Sequence, residues 1–239
     1  MVGKNKIKLI NSLSQKKKRL KNKLFIAEGK KTIDELLNSG FELELLLSET
    51  LSFEVPSGKM ELVSPALLKK VSQLVTPQKA LALFKIPEPR KILENELLIA
   101  LDGVRDPGNL GTIIRLCDWF GVSDLVCSED TVDCYNPKVV QATMGSIARV
   151  NVVYTDLKAF LKVQKTVFGT FMSGENVYET TLSKKGVLVL GNEANGISEE
   201  IKALTTKKLA IPQFGEQKNT ESLNVATATA ILLSEFKRR

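Results

Sequence analysis

Asn109, Arg115, Glu193, Ser222 and Asn224 are the side chains whose types and settings suit chemistry on a polar substrate. Asn109 ends a polar turn, Asp102 to Asn109, between an apolar run and a helix, and Arg115 follows about a turn and a half into that helix. Loop groups at strand-to-helix junctions stand clear of the packed layers, which is where α/β proteins carry their chemistry. Glu193 lies between Gly191 and Gly196, on a loop leaving the apolar run Val187 to Leu190. A carboxylate there could bind a cation, orient a hydroxyl or cap the next helix. The loop is neither G-x-G-x-x-G nor a P-loop, which would need Lys-Ser/Thr after its second glycine. Ser222 is a natural cap for the last helix. Asn224, in the first turn of a helix rich in Ala and Thr, costs helix stability unless its amide has a partner. Each residue also has a plain structural use: Asn109 as a cap, Arg115 as a solvated charge, Glu193 in a capping loop.

The elements that must position these groups are legible from periodicity. The spacing predicts strands at 97–101, 124–127, 150–154, 167–171, 187–190 and 208–211. Helices fall between them near 110–120, 136–144, 156–163 and 198–204, and a last helix runs from Ser222 to Lys237. Gly121 is a stop signal for the helix that carries Arg115. Such alternation implies a mostly parallel sheet covered on both faces. Ahead of it lies a smaller α/β unit. Residues 5–22 are expected as a polar helix or arm, 24–27, 43–47 and 80–86 as strands, and 28–38 as a helix. Another helix starts at Ser64-Pro65, with Ser as cap and Pro in the first turn. Pro87-Glu88-Pro89-Arg90 marks a linker. The expected domains are therefore 1–90 and 95–239.

Charge separates the two parts. Residues 1–93 carry 18 Lys+Arg against 9 Asp+Glu, whereas the remainder carries 16 against 18. A basic first part suggests a polyanionic partner. Its densest cluster, Lys16, Lys17, Lys18, Arg19, Lys21 and Lys23, is the candidate RNA-phosphate contact, although charge runs commonly form solvated helix faces. The chain has no histidine, so the commonest catalytic base is missing, and its 3 cysteines form no C-x-x-C pair. No metal-ligand cluster is apparent. Cys117, Cys127 and Cys134 suit a reducing compartment without disulfides. No apolar run spans a bilayer and no signal segment is evident. We expect a cytoplasmic protein without membrane contact.

Together these stretches resemble a known family. Asp102, Asp106, Pro107, Asn109, Gly111 and Arg115 match its first motif, and Leu190 to Gly196, Leu-Gly-x-Glu-x-x-Gly, its second. Ile211-Pro212 followed by Ser222-Leu223-Asn224-Val225 matches its third. This is the SpoU, or TrmH-type, family of RNA 2′-O-ribose methyltransferases, and the resemblance covers residues 96–239. It implies an α/β catalytic domain with a C-terminal trefoil knot, S-adenosylmethionine as cofactor and a homodimer with its site at the subunit interface. The first unit is similar to the small substrate-binding domain often attached to these enzymes, related to a ribosomal protein.

Carried over residue by residue, the resemblance makes Arg115 the group against the attacking 2′-hydroxyl. It acts as a base assisted by Ser222 and an RNA phosphate, or stays cationic and stabilises the alkoxide. Asn109 and Asn224 orient ribose and Arg115, and Glu193 fixes that geometry. Thr170, Leu190, Gly191, Ile211 and Leu223 hold the cofactor, and no metal is required. The spacer in the third motif is longer and more polar than the family pattern, and its residues 217–220 could project toward cofactor or RNA. The expected substrate is ribosomal or transfer RNA. Two other readings share these residues: a non-catalytic RNA-binding or ribosome-assembly protein that keeps the fold, and a methyltransferase acting on a base.

Overall fold

The computed structural model describes residues 2–93, 96–215 and 222–238. In chain order the elements are α1 (Lys4–Ser12), α2 (Lys16–Asn22), β1 (Leu24–Glu28), α3 (Lys30–Asn38), β2 (Leu43–Ser48), β3 (Met60–Leu62), α4 (Pro65–Val71) and β4 (Ala80–Lys85). They continue with β5 (Leu97–Leu101), α5 (Pro107–Trp119), β6 (Asp124–Cys127), α6 (Pro137–Thr143), a 3₁₀ turn (Ser146–Ala148), β7 (Asn151–Tyr154) and α7 (Leu157–Lys162). The last are β8 (Val167–Asn176), β9 (Gly186–Leu190), α8 (Glu199–Lys202), β10 (Lys207–Ala210) and α9 (Val225–Arg238). The chain forms two units. One is Met1–Glu88 with Asp133–Arg149, and the other is Pro89–Val132 with Val150–Arg239. By its contacts the segment holding α6 groups with the first unit, which the expected contiguous division into 1–90 and 95–239 does not anticipate.

The first unit is built on a four-stranded sheet of order β1-β4-β2-β3. Strands β1 and β2 each run antiparallel to β4, and β3 runs parallel to β2. Ile10, Leu13, Ile26, Leu47, Leu68, Leu81 and Leu83 make one core cluster. Ser64 caps α4 as expected, its hydroxyl accepting from the Leu67 amide at 3.4 Å with Pro65 behind it. Strand β3 has no counterpart in the periodicity, being three residues long and only partly buried. Glu28 was expected to open a helix but ends β1 and is buried. It accepts from the Ser72 hydroxyl at 2.6 Å and the Gln73 amide at 2.8 Å, and burial raises its pKa.

Arg19 also departs from expectation. It is only 2% exposed, so it does not belong with the surface cations. Its Nε and Nη2 donate to Asp133 Oδ2 at 2.9 and 2.5 Å, and its Nη1 donates to the Leu13 and Ser14 carbonyls. A guanidinium leaves water only where a carboxylate and carbonyls replace the lost hydration. The carboxylate comes from the late segment, which also sets Tyr135 against Phe25, ring centroids 4.7 Å apart, and pairs Arg149 with Glu35.

The second unit carries a six-stranded sheet, order β10-β8-β9-β5-β6-β7, parallel at every pairing. Strands covered on both faces need continuous apolar runs, which Leu97–Leu101 supplies, every residue buried. On one face Leu98, Ala100, Val187 and Val189 pack with Leu157 and Leu161 of α7 and Ile201 of α8. Helices α5 and α9 pack together, and Phe236 of α9 meets Phe168 of β8 edge-on at 5.0 Å. Strand β8 runs five residues past its expected end. Its register against β10 jumps from Lys208↔Gly169 to Leu209↔Glu175, so residues 170–174 swing out of the ladder. Gly174 lies where a Cβ would come within 2.7 Å of the Lys208 carbonyl, so only glycine fits that approach.

Asp133→Ala should destabilise the protein by about 3–5 kcal/mol, because it leaves the buried Arg19 charge unpaired. The double replacement Arg19→Met with Asp133→Leu should recover most of that loss, as read by urea denaturation.

Candidate active site

The site grows from the carboxyl ends of parallel strands. Leu101 at the end of β5 lies opposite Leu190 at the end of β9, so the first two motif loops start level with each other. The Asp102 amide donates to the Leu190 carbonyl at 2.9 Å, extending the ladder by one rung. Asp102 Oδ2 then accepts from the Ser198 amide at 2.7 Å, and Asn192 Nδ2 donates to the Gly103 carbonyl at 2.6 Å. These two side chains lock the loops together. Neither is among the candidate site residues, although Asp102 heads the first motif and Asn192 lies within the second.

Residues 192–196 form a tight loop in which Asn192 and Gly196 exchange amide-to-carbonyl bonds of 2.9 and 2.8 Å. Asn192 Oδ1 accepts from the Ala194 and Asn195 amides. A Cβ on Gly191 would lie 2.1 Å from the Gly196 carbonyl carbon, so the loop folds back where only glycine leaves room. Glu193 is thereby held on the exposed outer arc.

The third strand end brings Asn224, and here the structure corrects the sequence reading. Helix α9 begins at Val225 rather than Ser222, and its cap is Asn224, whose Oδ1 accepts from the Ala226 and Thr227 amides at 2.9 and 3.2 Å. An Asn at the cap incurs no penalty of helix propensity. Its Nδ2 is then free of the helix and donates to Asn109 Oδ1 at 2.8 Å, while Asn109 Nδ2 donates to Glu193 Oε1 at 2.9 Å. Asn109 itself sits inside the first turn of α5, not before it. Asp106 is the cap there, accepting from the Asn109 amide at 2.7 Å. The relay Asn224–Asn109–Glu193 therefore joins one residue from each motif.

Beside it opens a cavity of about 920 Å³. Every residue expected to hold the cofactor, Thr170, Leu190, Gly191, Ile211 and Leu223, lines it, as do Glu193, Ser222 and Asn224. Leu190, Leu209 and Leu232 are almost fully buried and form an apolar floor, whereas Leu223 and Met172 are well exposed at the rim. The β8 excursion supplies Thr170 and Met172, and the Thr170 hydroxyl donates to the Val189 carbonyl at 3.1 Å. An apolar floor with polar groups at one edge fits an adenosine that carries a charged, hydrogen-bonding arm.

Arg115 is not brought to this cavity. It is exposed on α5, six residues after Asn109, which at 100° per residue turns it about 120° away around the axis. Lys16, Lys17, Lys18, Lys21 and Lys23 are exposed in the first unit, with Lys23 paired to Glu88 at 2.8 Å. Residues 217–220 of the longer spacer lie outside the described residues. Burial, aided by neighbouring Asp118, pushes the Cys117 thiol up to about 12, so it stays protonated. The Ser128 hydroxyl, followed by Arg105, holds Asp130 below the usual carboxylate range beside Gly103. Among the described residues no group of His, Cys, Asp or Glu side chains could hold a metal ion.

Residues 96–234 match the SpoU rRNA Methylase family, and residues 4–82 match the MRM3-like substrate binding domain. The chain belongs to the SpoU rRNA methylase family. It is 32% identical to the 23S rRNA (guanosine(2553)-2′-O)-methyltransferase RlmP of Bacillus subtilis (strain 168), over 97% of this chain and 96% of that one. Among solved structures, a TrmH-family protein of Porphyromonas gingivalis covers 100% of this chain and 99% of its own at 36% identity, TM-score 0.89. An AdoMet-bound rRNA methyltransferase of Sinorhizobium meliloti gives TM-score 0.86 at 30% identity, covering 100% of this chain and 97% of its own. The SpoU resemblance read from the three motifs thus extends over the whole chain.

Gly191→Ala should weaken S-adenosylmethionine binding by at least about tenfold, measured by calorimetry, since the new methyl must displace loop backbone that lines the cavity. An unchanged affinity would show that the loop fold does not shape the cofactor site.

Proposed function

We propose that this SpoU-family protein transfers a methyl group from S-adenosylmethionine to a ribose 2′-hydroxyl of ribosomal or transfer RNA. The observation that carries the reading is the Asn224–Asn109–Glu193 relay, which ties the first motif to the second and third, whose residues line one cavity. When bound, the cofactor supplies a methyl carbon activated by a sulfonium. The protein must hold the hydroxyl oxygen in line with it and help the proton leave. The relay fixes Glu193 so that its carboxylate can orient a ribose hydroxyl or a guanidinium. The apolar floor shields the inner side of a bound cofactor from water. A protein that had lost catalysis would have no need of this complete polar set, which disfavours the non-catalytic alternative.

Arg115 completes the set from a second copy of the chain. It faces solvent on its own protomer, and Trp119, one turn further along the same stripe of α5, is 84% exposed. A large indole left in water is uncommon and suits a surface that a partner covers. The homodimer implied by the resemblance would place Arg115 beside the partner copy's cavity. Acting there as a base demands a guanidinium pKa far below its usual value above ~12. Acting as a cation demands only proximity to the developing alkoxide.

The trefoil knot expected of this family is part of the proposal. Its support is the whole-chain likeness to family structures and the close crossing of Gly174 over the Lys208–Leu209 backbone. The exposed lysines of α2 hold RNA, a reading supported by the match to a substrate-binding domain and by the charge asymmetry. We place the protein in the cytoplasm. The cysteines are free thiols, and among the described residues no helix is long and apolar enough to cross a membrane.

Arg115→Ala should abolish methyl transfer to RNA while leaving cofactor affinity within about twofold. The pH profile of Arg115→Lys separates the two chemistries: a base at 115 makes transfer rise as the ammonium loses its proton, whereas a cation makes it fall there. Mixing Arg115→Ala with Glu193→Ala protein should restore part of the activity if each site draws on both copies. No restoration would place Arg115 in its own protomer's site.

Replacing Lys17, Lys18 and Lys21 together by alanine should make the salt dependence of RNA binding shallower by about two units in the log–log slope. Cofactor binding should not change. An unchanged slope would remove this helix from the RNA contact.

A further inference from the structure

One aromatic pair at the cavity mouth takes no part in the relay. Phe214 lines the cavity and yet is 83% exposed, and it is stacked on Tyr178 with ring centroids 6.3 Å apart and planes 29° apart. We infer that the Phe214 ring, backed by Tyr178, is the stacking surface for the base of the nucleotide whose ribose is methylated. This rests on the methyl-transfer reading above and adds to it how the acceptor is held.

The two rings are held together by the sheet. Asn176 at the end of β8 lies opposite Ala210 at the end of β10, and the Val177 amide donates to the Ala210 carbonyl at 3.0 Å. Tyr178 and Phe214 follow closely on these paired ends, so two strands fix where the rings meet. Tyr178 supports one face of Phe214, while the exposure of Phe214 leaves its ring open to solvent. Phenylalanine stranded in water forfeits the transfer free energy of its ring, so a stacked, outward-facing pair at a cavity mouth is suited to a planar ligand.

The burial gradient says which ligand. The cofactor must be shielded, and the nearly buried Leu190, Leu209 and Leu232 form a floor for it. The acceptor must arrive from solvent and leave again, so it meets the rim. A base lies one glycosidic bond from its own ribose, and Phe214 lines the same cavity as Glu193. A cation beside the same cavity agrees. Phe171 also lines the cavity, and Lys208, exposed, holds its ammonium 5.7 Å from the Phe171 ring centroid. Aromatic faces alternating with cations are how proteins hold single-stranded nucleic acid without reading its sequence.

The test uses the full chain with S-adenosylhomocysteine and a short single-stranded RNA containing 2-aminopurine, whose fluorescence falls on stacking. The wild type should quench it. Phe214→Leu should bind the RNA roughly tenfold more weakly and lose the quench, and Phe214→Trp should keep both. Calorimetric affinity for S-adenosylmethionine and mass by light scattering should match wild type in both variants. Because the side chain is exposed, its replacement leaves the core intact. Equal quenching by Phe214→Leu overturns the proposal. So does lost cofactor affinity, which would put the ring against the cofactor, or an altered mass, which would put it against a second copy. Transfer of tritiated methyl to total cellular RNA by the wild type is scored separately, so failure of the activity itself is recognised on its own.

Discussion

The backbone rung from the Asp102 amide to the Leu190 carbonyl sets the catalytic unit. It lies where β5 and β9, parallel neighbours in register, both end. Because parallel strands end on the same side, the turns that follow them must share space, and Asp102 and Asn192 use that space to tie one turn to the other. The second motif loop can then be as tight as its Gly191–Gly196 contact requires, since it is braced from outside. A one-residue slip between β5 and β9 would exchange which side chains face each covering layer and misalign every polar contact above them.

Asparagine is the recurring device of this site. Asn224 closes a helix with its oxygen and reaches the next motif with its nitrogen, and Asn109 accepts with one end of its amide and donates with the other. A carboxylate at either position could not both accept and donate when ionised. The relay ends on a carboxylate, so Glu193 is held at one fixed place beside the cavity, apart from the Glu199–Lys202 pair that also lines it.

Much of this was legible in the sequence because it depends on local rules. Buried parallel strands demand apolar runs, Ser64-Pro65 announces a helix, and Leu190-Gly191-Asn192-Glu193 places a carboxylate just past a strand end. What was not legible depends on partners far along the chain. Ser222 and Asn224 are both good caps by type, and only the position of Asn109, 115 residues away, decides that Asn224 is chosen. Arg19 is indistinguishable from its lysine neighbours until Asp133, 114 residues later, is folded against it. Spacing along one helix shows that Arg115 and Asn109 share no face, but not what lies across from Arg115. The β8 excursion escaped because a strand that leaves its ladder and returns keeps the composition of a strand.

The inclusion of residues 133–149 in the first unit has a consequence for how the protein is made. A chain emerging from the ribosome can usually complete its leading domain before the next one appears. Here the leading unit has its core cluster in hand by Leu83, but one buried charge has to wait. Until residue 133 has been translated, Arg19 has no carboxylate to accompany it out of water, and until residue 149 the unit lacks its last piece. Strands β5 and β6 are synthesised during that interval, so this ion pair closes only after part of the second unit has emerged.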